Sequence, residues 1–190
     1  KNAEIEGSIT LTGTGSLTYA GLVAHAKGSV EGVTNRASVT MGETATCPVY
    51  AGGLVGYLSD GGSIDKSFNY GAVSLLGNSG ETTFVGGVVG YVIASLSSDI
   101  FVSGCVVESQ IPEFVINGRD YVGGVVGYGY GGCCDGCMVN ANIGGRISVG
   151  GVVGVGNADE PALNCGFVGK ISGNSKVGGI AGSSNYNAII

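Results

Sequence analysis

Short apolar runs broken by glycine recur along the whole chain, and one six-residue core returns six times. Its copies are AGLVAH at 20–25, GGLVGY at 52–57, GGVVGY at 86–91 and again at 123–128, GGVVGV at 150–155 and GGIAGS at 178–183. The second residues of the copies lie at 21, 53, 87, 124, 151 and 179, which gives intervals of 32, 34, 37, 27 and 28 residues. Self-similarity at such a period is typical of repeat proteins.

A second block of ten residues recurs between these cores. It reads VEGVTNRASV at 30–39, IDKSFNYGAV at 64–73, VSGCVVESQI at 102–111, CDGCMVNANI at 134–143 and ALNCGFVGKI at 162–171. Aligned without gaps, the five blocks keep small or apolar residues at their first, fourth and tenth positions. The tenth positions are Val39, Val73, Ile111, Ile143 and Ile171. Each set is expected to form one column along the repeat axis.

Both blocks predict short β-strands joined by turns. Val, Ile, Thr, Tyr and Gly dominate, and no apolar period of 3.6 residues runs long enough for a helix. Repetition every 27 to 37 residues predicts an all-β fold, a parallel β-helix-like β-solenoid of about five to six repeats. A propeller blade needs about 40 residues and four strands, and a β-sandwich would not produce such regular copies. We assign residues 20–190 to the repeat domain and residues 1–19 to an N-terminal cap or edge segment.

Equivalent residues of successive coils should stack about 4.8 Å apart, so the repeat positions become ladders. One predicted ladder contains Leu54, Val88, Val125, Val152 and Ile180, and its neighbour contains Val55, Val89, Val126, Val153 and Ala181. Adjacent residues of a strand face opposite sides. Two apolar ladders side by side therefore mean that the sheet is covered on both faces, or that one apolar face is exposed.

Composition narrows the class of protein. Of 190 residues, 39 are glycine and 12% are charged, with a net charge of −6 and only 8 lysines and arginines, which are scattered. Disorder needs high charge and low hydrophobicity, and nucleic-acid binding needs clustered basic residues; the chain has neither pattern. No run of about 18 apolar residues is free of glycine and polar breaks, so no membrane span is expected.

The tetrapeptides inside the cores resemble the GLUG motif of bacterial repeat proteins. They are GLVG at 53–56, GVVG at 87–90, 124–127 and 151–154, and GIAG at 179–182, and the resemblance covers roughly residues 20–190. The first copy departs from the motif at Ala24. GLUG repeats occur in bacterial surface and secreted proteins, outside the catalytic parts, so the resemblance implies a secreted or cell-surface, non-catalytic module. No second block follows the last copy, and we expect end-to-end contact with further repeats or domains there.

The sequence Cys134-Asp-Gly-Cys137 could hold a metal, form a disulfide or pack in the core. A structural zinc site usually needs two such pairs, and the second pair is missing. The repeat places Cys134 in the slot of Ile64 and Val102, which favours core packing, and no metal or other cofactor is expected. Cys105, Cys137 and Cys165 share one column, in which thiols of neighbouring rungs could approach closely enough for a disulfide.

Tyrosines recur at one position, four residues after the second motif glycine: Tyr57, Tyr91 and Tyr128. His25 takes this position in the first copy. A surface row of tyrosines is suited to binding a sugar or a protein partner, and this column is the predicted binding site. The alternative is a ladder of rings that only holds the coils together.

No constellation of catalytic residues is evident. Asp65 and Asp135 share the second position of their blocks, with Ser103 between them, and Lys66 and Arg146 are the nearest basic candidates. The sequence therefore predicts a non-catalytic structural or adhesive module that acts as a spacer or as a binding surface for a host or cell-surface protein or glycan. The alternatives are a carbohydrate-binding module, and a carbohydrate-active enzyme on a parallel β-helix that uses these carboxylates.

Overall fold

The computed structural model describes residues 3–12, 18–42, 48–59, 61–75, 82–93, 99–109, 114–157 and 161–185. Within these ranges the chain is all-β and winds through six coils. The first coil contains β1 (Ala3–Ile5), β2 (Ser8–Leu11), β3 (Thr18–Ala20) and β4 (Val23–Ala26). The second contains β5 (Ser29–Glu31), β6 (Val33–Asn35), β7 (Ser38–Met41), β8 (Val49–Gly52) and β9 (Val55–Leu58). The third contains β10 (Ser63–Asp65), β11 (Phe68–Asn69), β12 (Val73–Leu75), β13 (Thr83–Gly86) and β14 (Val89–Ile93).

The remaining coils follow the same plan. The fourth contains β15 (Asp99–Ser103), β16 (Val106–Glu108), β17 (Phe114–Asn117), β18 (Tyr121–Gly123) and β19 (Val126–Tyr130). The fifth contains β20 (Gly132–Asp135), β21 (Met138–Asn140), β22 (Asn142–Gly144), β23 (Ile147–Gly150) and β24 (Val153–Asn157). The sixth contains β25 (Ala162–Leu163), β26 (Gly166–Val168), β27 (Ile171–Ser172), β28 (Ser175–Gly178) and β29 (Ala181–Ser184).

The second to sixth coils each contribute one strand to each of five parallel sheets, and the first coil contributes to four of them. We number the sheets in the order in which the second coil passes through them. Sheet 1 holds β5, β10, β15, β20 and β25, and sheet 2 holds β1, β6, β11, β16, β21 and β26. Sheet 3 runs from β2 through β7, β12, β17 and β22 to β27, sheet 4 from β3 to β28, and sheet 5 from β4 to β29, in the same steps of five. Consecutive coils pair in parallel throughout the described residues, which confirms the predicted β-solenoid. β1 and β2 pair in register with β6 and β7, so the described part of segment 1–19 continues the stack.

Both predicted aliphatic ladders are present. Val55, Val89, Val126, Val153 and Ala181 are register partners in sheet 5. In the other ladder, the amide of each residue donates to the carbonyl of its counterpart one coil later, as from Leu54 to Val88 at 3.0 Å. Leu54 and Val55 are both buried although they are adjacent, because the chain bends at Gly53–Leu54 between β8 and β9. The apolar ladders therefore do not require a strand buried on both faces.

One position of the gap-free alignment of second blocks is wrong, and the first core copy differs by one residue from the others. Ile116 pairs with both Val73 and Ile143, in the slot predicted for Ile111, which lies outside the described residues. The fourth coil therefore carries an insertion inside its second block rather than between blocks. In the first coil, Tyr19 pairs with Tyr50 while Val23 pairs with Val55, so the turn between them is one residue shorter than in the next coil.

The motif glycines form the turn from sheet 4 to sheet 5, which we call the glycine arch: 52–56, 86–90, 123–127, 150–154 and 178–182. A β-carbon on Gly86 would lie closer than 3.0 Å to the carbonyl oxygen of Val89 in the same arch. On Gly87 it would approach the carbonyl oxygen of Gly124 in the following coil, and on Gly90 the amide nitrogen of Ala51 in the preceding coil, again closer than 3.0 Å. All three approaches are to backbone atoms, so only glycine fits.

A second turn recurs between sheets 1 and 2, with one residue of left-handed backbone in each of the second to sixth coils. These residues are Gly32, Lys66, Gly104, Gly136 and Asn164, with φ of 65°, 44°, 57°, 61° and 49°. They occupy the third position of the second block. Glycine and asparagine tolerate this conformation, which explains a column that the apolar pattern alone did not reveal.

The interior is mostly apolar, and its two buried asparagines are paired. Asn35 and Asn69 are fully buried and adjacent in register, and the Asn35 side-chain amide donates to Asn69 Oδ1 at 2.8 Å. In later coils Val107 and Val139 take this place in sheet 2. The buried amides are satisfied by each other and by the backbone, as buried polar groups must be. No helix in the described residues is long and apolar enough to cross a membrane.

Candidate interaction surface

The predicted tyrosine column is a continuous stack on sheet 5. Tyr57, Tyr91 and Tyr128 are register partners. Their ring centroids lie 5.6 and 5.2 Å apart, with interplanar angles of 7° and 5°. His25 pairs with Tyr57 and meets its ring edge-on at 5.0 Å. The column continues as Val155 and Ser183, which carry no ring.

A second aromatic column, not predicted from the sequence, lies beside the first on sheet 4. It consists of Tyr19, Tyr50, Phe84 and Tyr121, with successive centroids 5.5, 4.9 and 5.0 Å apart. The signal was present, because each of these rings stands two residues before a glycine of the turn. In the first copy the turn after Tyr19 is one residue shorter. Aligning the glycine cores therefore does not place Tyr19 in the column of Tyr50.

The two columns contact each other through T-shaped ring pairs. Tyr91 receives Tyr50 at 5.0 Å and Phe84 at 5.3 Å, and Tyr121 meets Tyr128 at 5.7 Å. We call the combined surface the aromatic strip; its members are Tyr19, His25, Tyr50, Tyr57, Phe84, Tyr91, Tyr121 and Tyr128. The seven tyrosine and phenylalanine rings are partly exposed, and His25 is exposed. Edge-to-face and offset stacking each stabilise such pairs beyond simple burial.

The phenols of Tyr57, Tyr91 and Tyr128 stay protonated well above neutral pH. Burial, followed by the neighbouring Tyr128, raises the pKa of Tyr91 to about 12. Burial also raises the pKa of Tyr57 and of Tyr128, with smaller contributions from Tyr19 and Tyr121 respectively. Each neutral hydroxyl can therefore both donate and accept a hydrogen bond to a partner.

His25 is held by hydrogen bonding at the end of the strip. Its Nε2 lies 3.0 Å from Ser59 Oγ. The Ser59 hydroxyl donates to the Ala26 carbonyl at 3.2 Å, so the imidazole N–H is the donor to Ser59. Among the described residues, no carboxylate hydrogen-bonds to the His25 ring, as one would in a catalytic triad.

A cluster of ion pairs and hydrogen bonds holds the chain just before the sheet 4 rings of the strip. Asp120 is buried, and its Oδ1 lies 2.8 Å from Arg146 Nη2 and 3.8 Å from Arg119 Nε. Thr83 Oγ1 accepts from the amides of Arg119 and Asp120 at 2.9 Å. Thr83 and Asp120 directly precede Phe84 and Tyr121, so this cluster orients two rings of the strip.

The candidate catalytic residues are not assembled into one site. Asp65, Ser103 and Asp135 are successive rungs of sheet 1. The Ser103 hydroxyl donates to Asp65 Oδ1 and lowers the pKa of that carboxyl, with Lys66 adding to the effect. Asp135 instead accepts from the Asn164 amide at 2.8 Å. Arg146 is paired with Asp120 at the turn between sheets 3 and 4, away from these carboxylates.

The cysteines predicted to pack in the core are placed there. Cys105, Cys134 and Cys137 are buried free thiols, and Cys165 is partly exposed. Among the described residues, no group of three or more His, Cys, Asp or Glu side chains is arranged to hold a metal ion. Cys47 lies outside the described residues, and of Cys133 only the backbone is described.

Comparisons with family models, with curated proteins and with solved structures return no match to this chain. The resemblance to the GLUG repeat stays a prediction from its motif residues.

Proposed function

We propose that the chain is a non-catalytic structural and adhesive module of an exported bacterial surface protein. The solenoid acts as a stiff spacer, and the aromatic strip is the surface that contacts a partner. The observation that carries this proposal is the strip itself: eight partly exposed or exposed rings in two contacting columns across four coils. The exported, bacterial setting rests on the motif resemblance.

The strip is preorganised for binding. Its rings project from strands that are hydrogen-bonded to a neighbouring coil, and the glycine arch packs the two sheets backbone to backbone. Stacked rings have little rotamer freedom left to lose on association, which is a large part of the free energy that binding otherwise costs. Tyrosine is also one of the residue types that dominate the binding free energy of protein interfaces.

A protein partner fits the strip better than a sugar stacked on a ring. The Tyr57, Tyr91 and Tyr128 rings on sheet 5 lie nearly parallel, at 7° and 5°, and so do Tyr50 and Phe84 on sheet 4, at 11°, so the faces of these rings cover one another. Edges and hydroxyls remain available, which suits contacts with mixed apolar and polar protein side chains. A host or cell-surface protein is therefore the proposed partner.

A glycan is the second candidate because of the hydroxyls. Tyr19, Tyr50, Tyr57, Tyr91, Tyr121 and Tyr128 place six phenolic groups on the strip. Each of the first four coils carries one or two of them, so they could hydrogen-bond a polymer that presents one sugar after another. This candidate predicts binding through hydroxyls, and it predicts that Tyr91→Phe weakens binding nearly as much as Tyr91→Ala.

Arrays of extracellular host proteins and of glycans, probed with the multimerised chain, test both candidates. For a protein partner, Tyr91→Ala should reduce binding by at least about tenfold, as expected for a central interface tyrosine. Tyr70→Ala is the matched control, because Tyr70 stacks with Phe68 outside the strip. Equal loss in both variants, or no binding on either array, would contradict the adhesive role.

A screen for polysaccharide lyase and hydrolase activity tests the non-catalytic part of the proposal. Turnover of any polysaccharide that disappears in Asp65→Asn or Asp135→Asn would overturn it. We expect no turnover by the wild-type chain, because the carboxylates make separate hydrogen bonds to Ser103 and Asn164.

A further inference from the structure

The sulfur atoms of Cys134 and Cys165 lie 3.8 Å apart on two successive coils. Cys134 is in β20 of the fifth coil, and Cys165 immediately precedes β26 of the sixth. The Cys165 thiol is directed at Cys134, 3.7 Å from its carbonyl oxygen. The Cys134 thiol donates to the Pro161 carbonyl at 3.4 Å, on the sixth coil. Each thiol is thus directed toward the other's coil.

The repeat explains why the Cys165 thiol meets a cysteine in the preceding coil, and the Cys137 thiol hydrogen-bonds with both members of this pair. Each column thiol points to the first residue of the second block in the preceding coil. Cys105 approaches the Ile64 carbonyl at 3.9 Å, Cys137 the Val102 carbonyl at 3.6 Å, and Cys165 the Cys134 carbonyl at 3.7 Å. Only in the last of these three pairs is the preceding residue a cysteine.

The two thiols differ in access. Cys134 is 0% exposed, whereas Cys165 is partly exposed. An external reagent therefore meets Cys165 first, and Cys134 is reached only from within. Formation of the bond requires the sulfurs to move from 3.8 Å to the bonding distance of about 2 Å.

We propose that Cys134 and Cys165 form a disulfide-forming site that joins the fifth and sixth coils covalently. The oxidant is a disulfide-containing donor, either a small-molecule disulfide or a disulfide-bonded oxidoreductase. The Cys165 thiolate attacks one donor sulfur, forms a mixed disulfide and releases the first donor thiolate. The Cys134 thiolate then attacks Cys165 Sγ and releases the second. The two cysteine protons pass through solvent to the two donor thiolates, so the donor is reduced by two electrons as the protein is oxidised by two.

The reaction should be slow at neutral pH and faster in alkali. Hydrogen bonding with Cys134 lowers the pKa of Cys165, but hydrogen bonding with Cys137 and burial outweigh it and raise the pKa to about 11. Because the thiolate is the nucleophile, the rate of oxidation should rise about tenfold for each pH unit between 7 and 9.

The test is oxidation of the reduced, folded chain by oxidised glutathione, followed by thiol alkylation, intact mass and peptide mapping. Wild type should lose two free thiols and yield one linked peptide pair, Cys134 with Cys165. Cys134→Val, which places the residue of Val102 in that slot, should stop at a stable glutathione adduct on Cys165. Cys165→Ser should give neither adduct nor link at these two positions.

Cys137→Ser is the matched control, because Ser67 occupies the same column two coils earlier and hydrogen-bonds to the Asp65 carbonyl at 2.9 Å. This variant should still form the Cys134–Cys165 link, with a rate that changes only through the lost effect of the Cys137 thiol on the pKa of Cys165. Circular dichroism should show that all variants are folded. A native wild type that keeps every thiol would overturn the proposal. So would a link that joins Cys165 to Cys137, or one that uses Cys47 or Cys133 instead of this pair.

Discussion

The glycine arch of the central coils and the same turn at the two ends of the stack follow one motif under different constraints. In the centre, a β-carbon on the second glycine, at Gly87, Gly124 or Gly151, would approach the next coil's carbonyl oxygen more closely than 3.0 Å. At Gly179, in the sixth coil, it would meet nothing within 4 Å. The second glycine is therefore required by the following coil and not by the turn.

The third glycine depends on the opposite neighbour. A β-carbon on Gly56 would lie 2.8 Å from the Ala24 carbonyl oxygen of the preceding coil. In the first coil the chain has Ala24 itself at this position, and that residue is exposed. The first glycine differs from both, because on Gly86 and on Gly178 alike its β-carbon would meet a carbonyl of the same arch. One motif thus combines one glycine set by the turn with two set by stacking.

The largest expected effect distinguishes the second glycine in the centre from the one at the end. Gly124→Ala should destabilise the fold by about 3 kcal/mol or more, because rigid backbone atoms must move to admit the methyl group. Gly179→Ala should change the free energy of unfolding by less than about 0.5 kcal/mol. Denaturant unfolding followed by circular dichroism measures both, and equal effects would show that the turn itself requires this glycine.

The apolar ladder provides the next comparison. Val125→Ala, at a side chain that is 0% exposed, should cost about 2 kcal/mol through lost burial and a residual cavity. Ile180→Ala removes more carbon atoms from the same ladder, but at a half-buried position of the sixth coil. It should cost less than Val125→Ala. The reverse order would mean that the sixth coil is covered in solution.

The aromatic strip should show its centre in an alkaline titration. Tyr91 has a folded-state pKa of about 12 against an ordinary value of 10.0. The contribution of Tyr91 to folding stability is therefore fully present below pH 10. It falls as pH rises toward 12, because this tyrosine ionises first in the unfolded chain. Tyrosinate absorbance should show a late-titrating phenol that Tyr91→Phe removes. A wild type whose tyrosines all titrate near pH 10 would contradict the packing of the strip.

The smallest expected effect is in the first coil, where Ala24 replaces the third glycine of the motif. Ala24→Gly restores the third glycine where no described coil precedes it, so no backbone contact is relieved. The added backbone freedom of the unfolded state should instead destabilise the chain by about 0.5 kcal/mol. A measurable gain in thermal stability would mean that the alanine methyl group is strained.

The sequence was sufficient for the ladders because parallel stacking brings like residues together. Val88, Val125 and Val152 could be assigned to one column from their spacing alone, and the structure confirms the order. It was not sufficient where the coil length changes locally. Ile111 was predicted in the slot that Ile116 occupies, since a spacing pattern does not reveal an insertion between two strands.

The sequence predicted only one of the two aromatic columns of the candidate surface. Tyr57, Tyr91 and Tyr128 were found because they follow the motif at a constant distance. The column of Tyr50, Phe84 and Tyr121 precedes the motif, and no rule of sequence spacing shows that two sheets will bring their rings into contact. The role of both columns in binding stays a prediction.

The amino-acid sequence by itself determined the period, the strands and the residues that stack, because each depends on short-range pattern repeated in register. Tertiary structure alone decided which columns meet across the coil. The arch folds sheet 5 back on sheet 4, which joins the aromatic columns, and the diagonal offset between coils directs Cys165 at Cys134. Such contacts depend on the angles between sheets, and these arise from packing of the whole coil rather than from any one repeat.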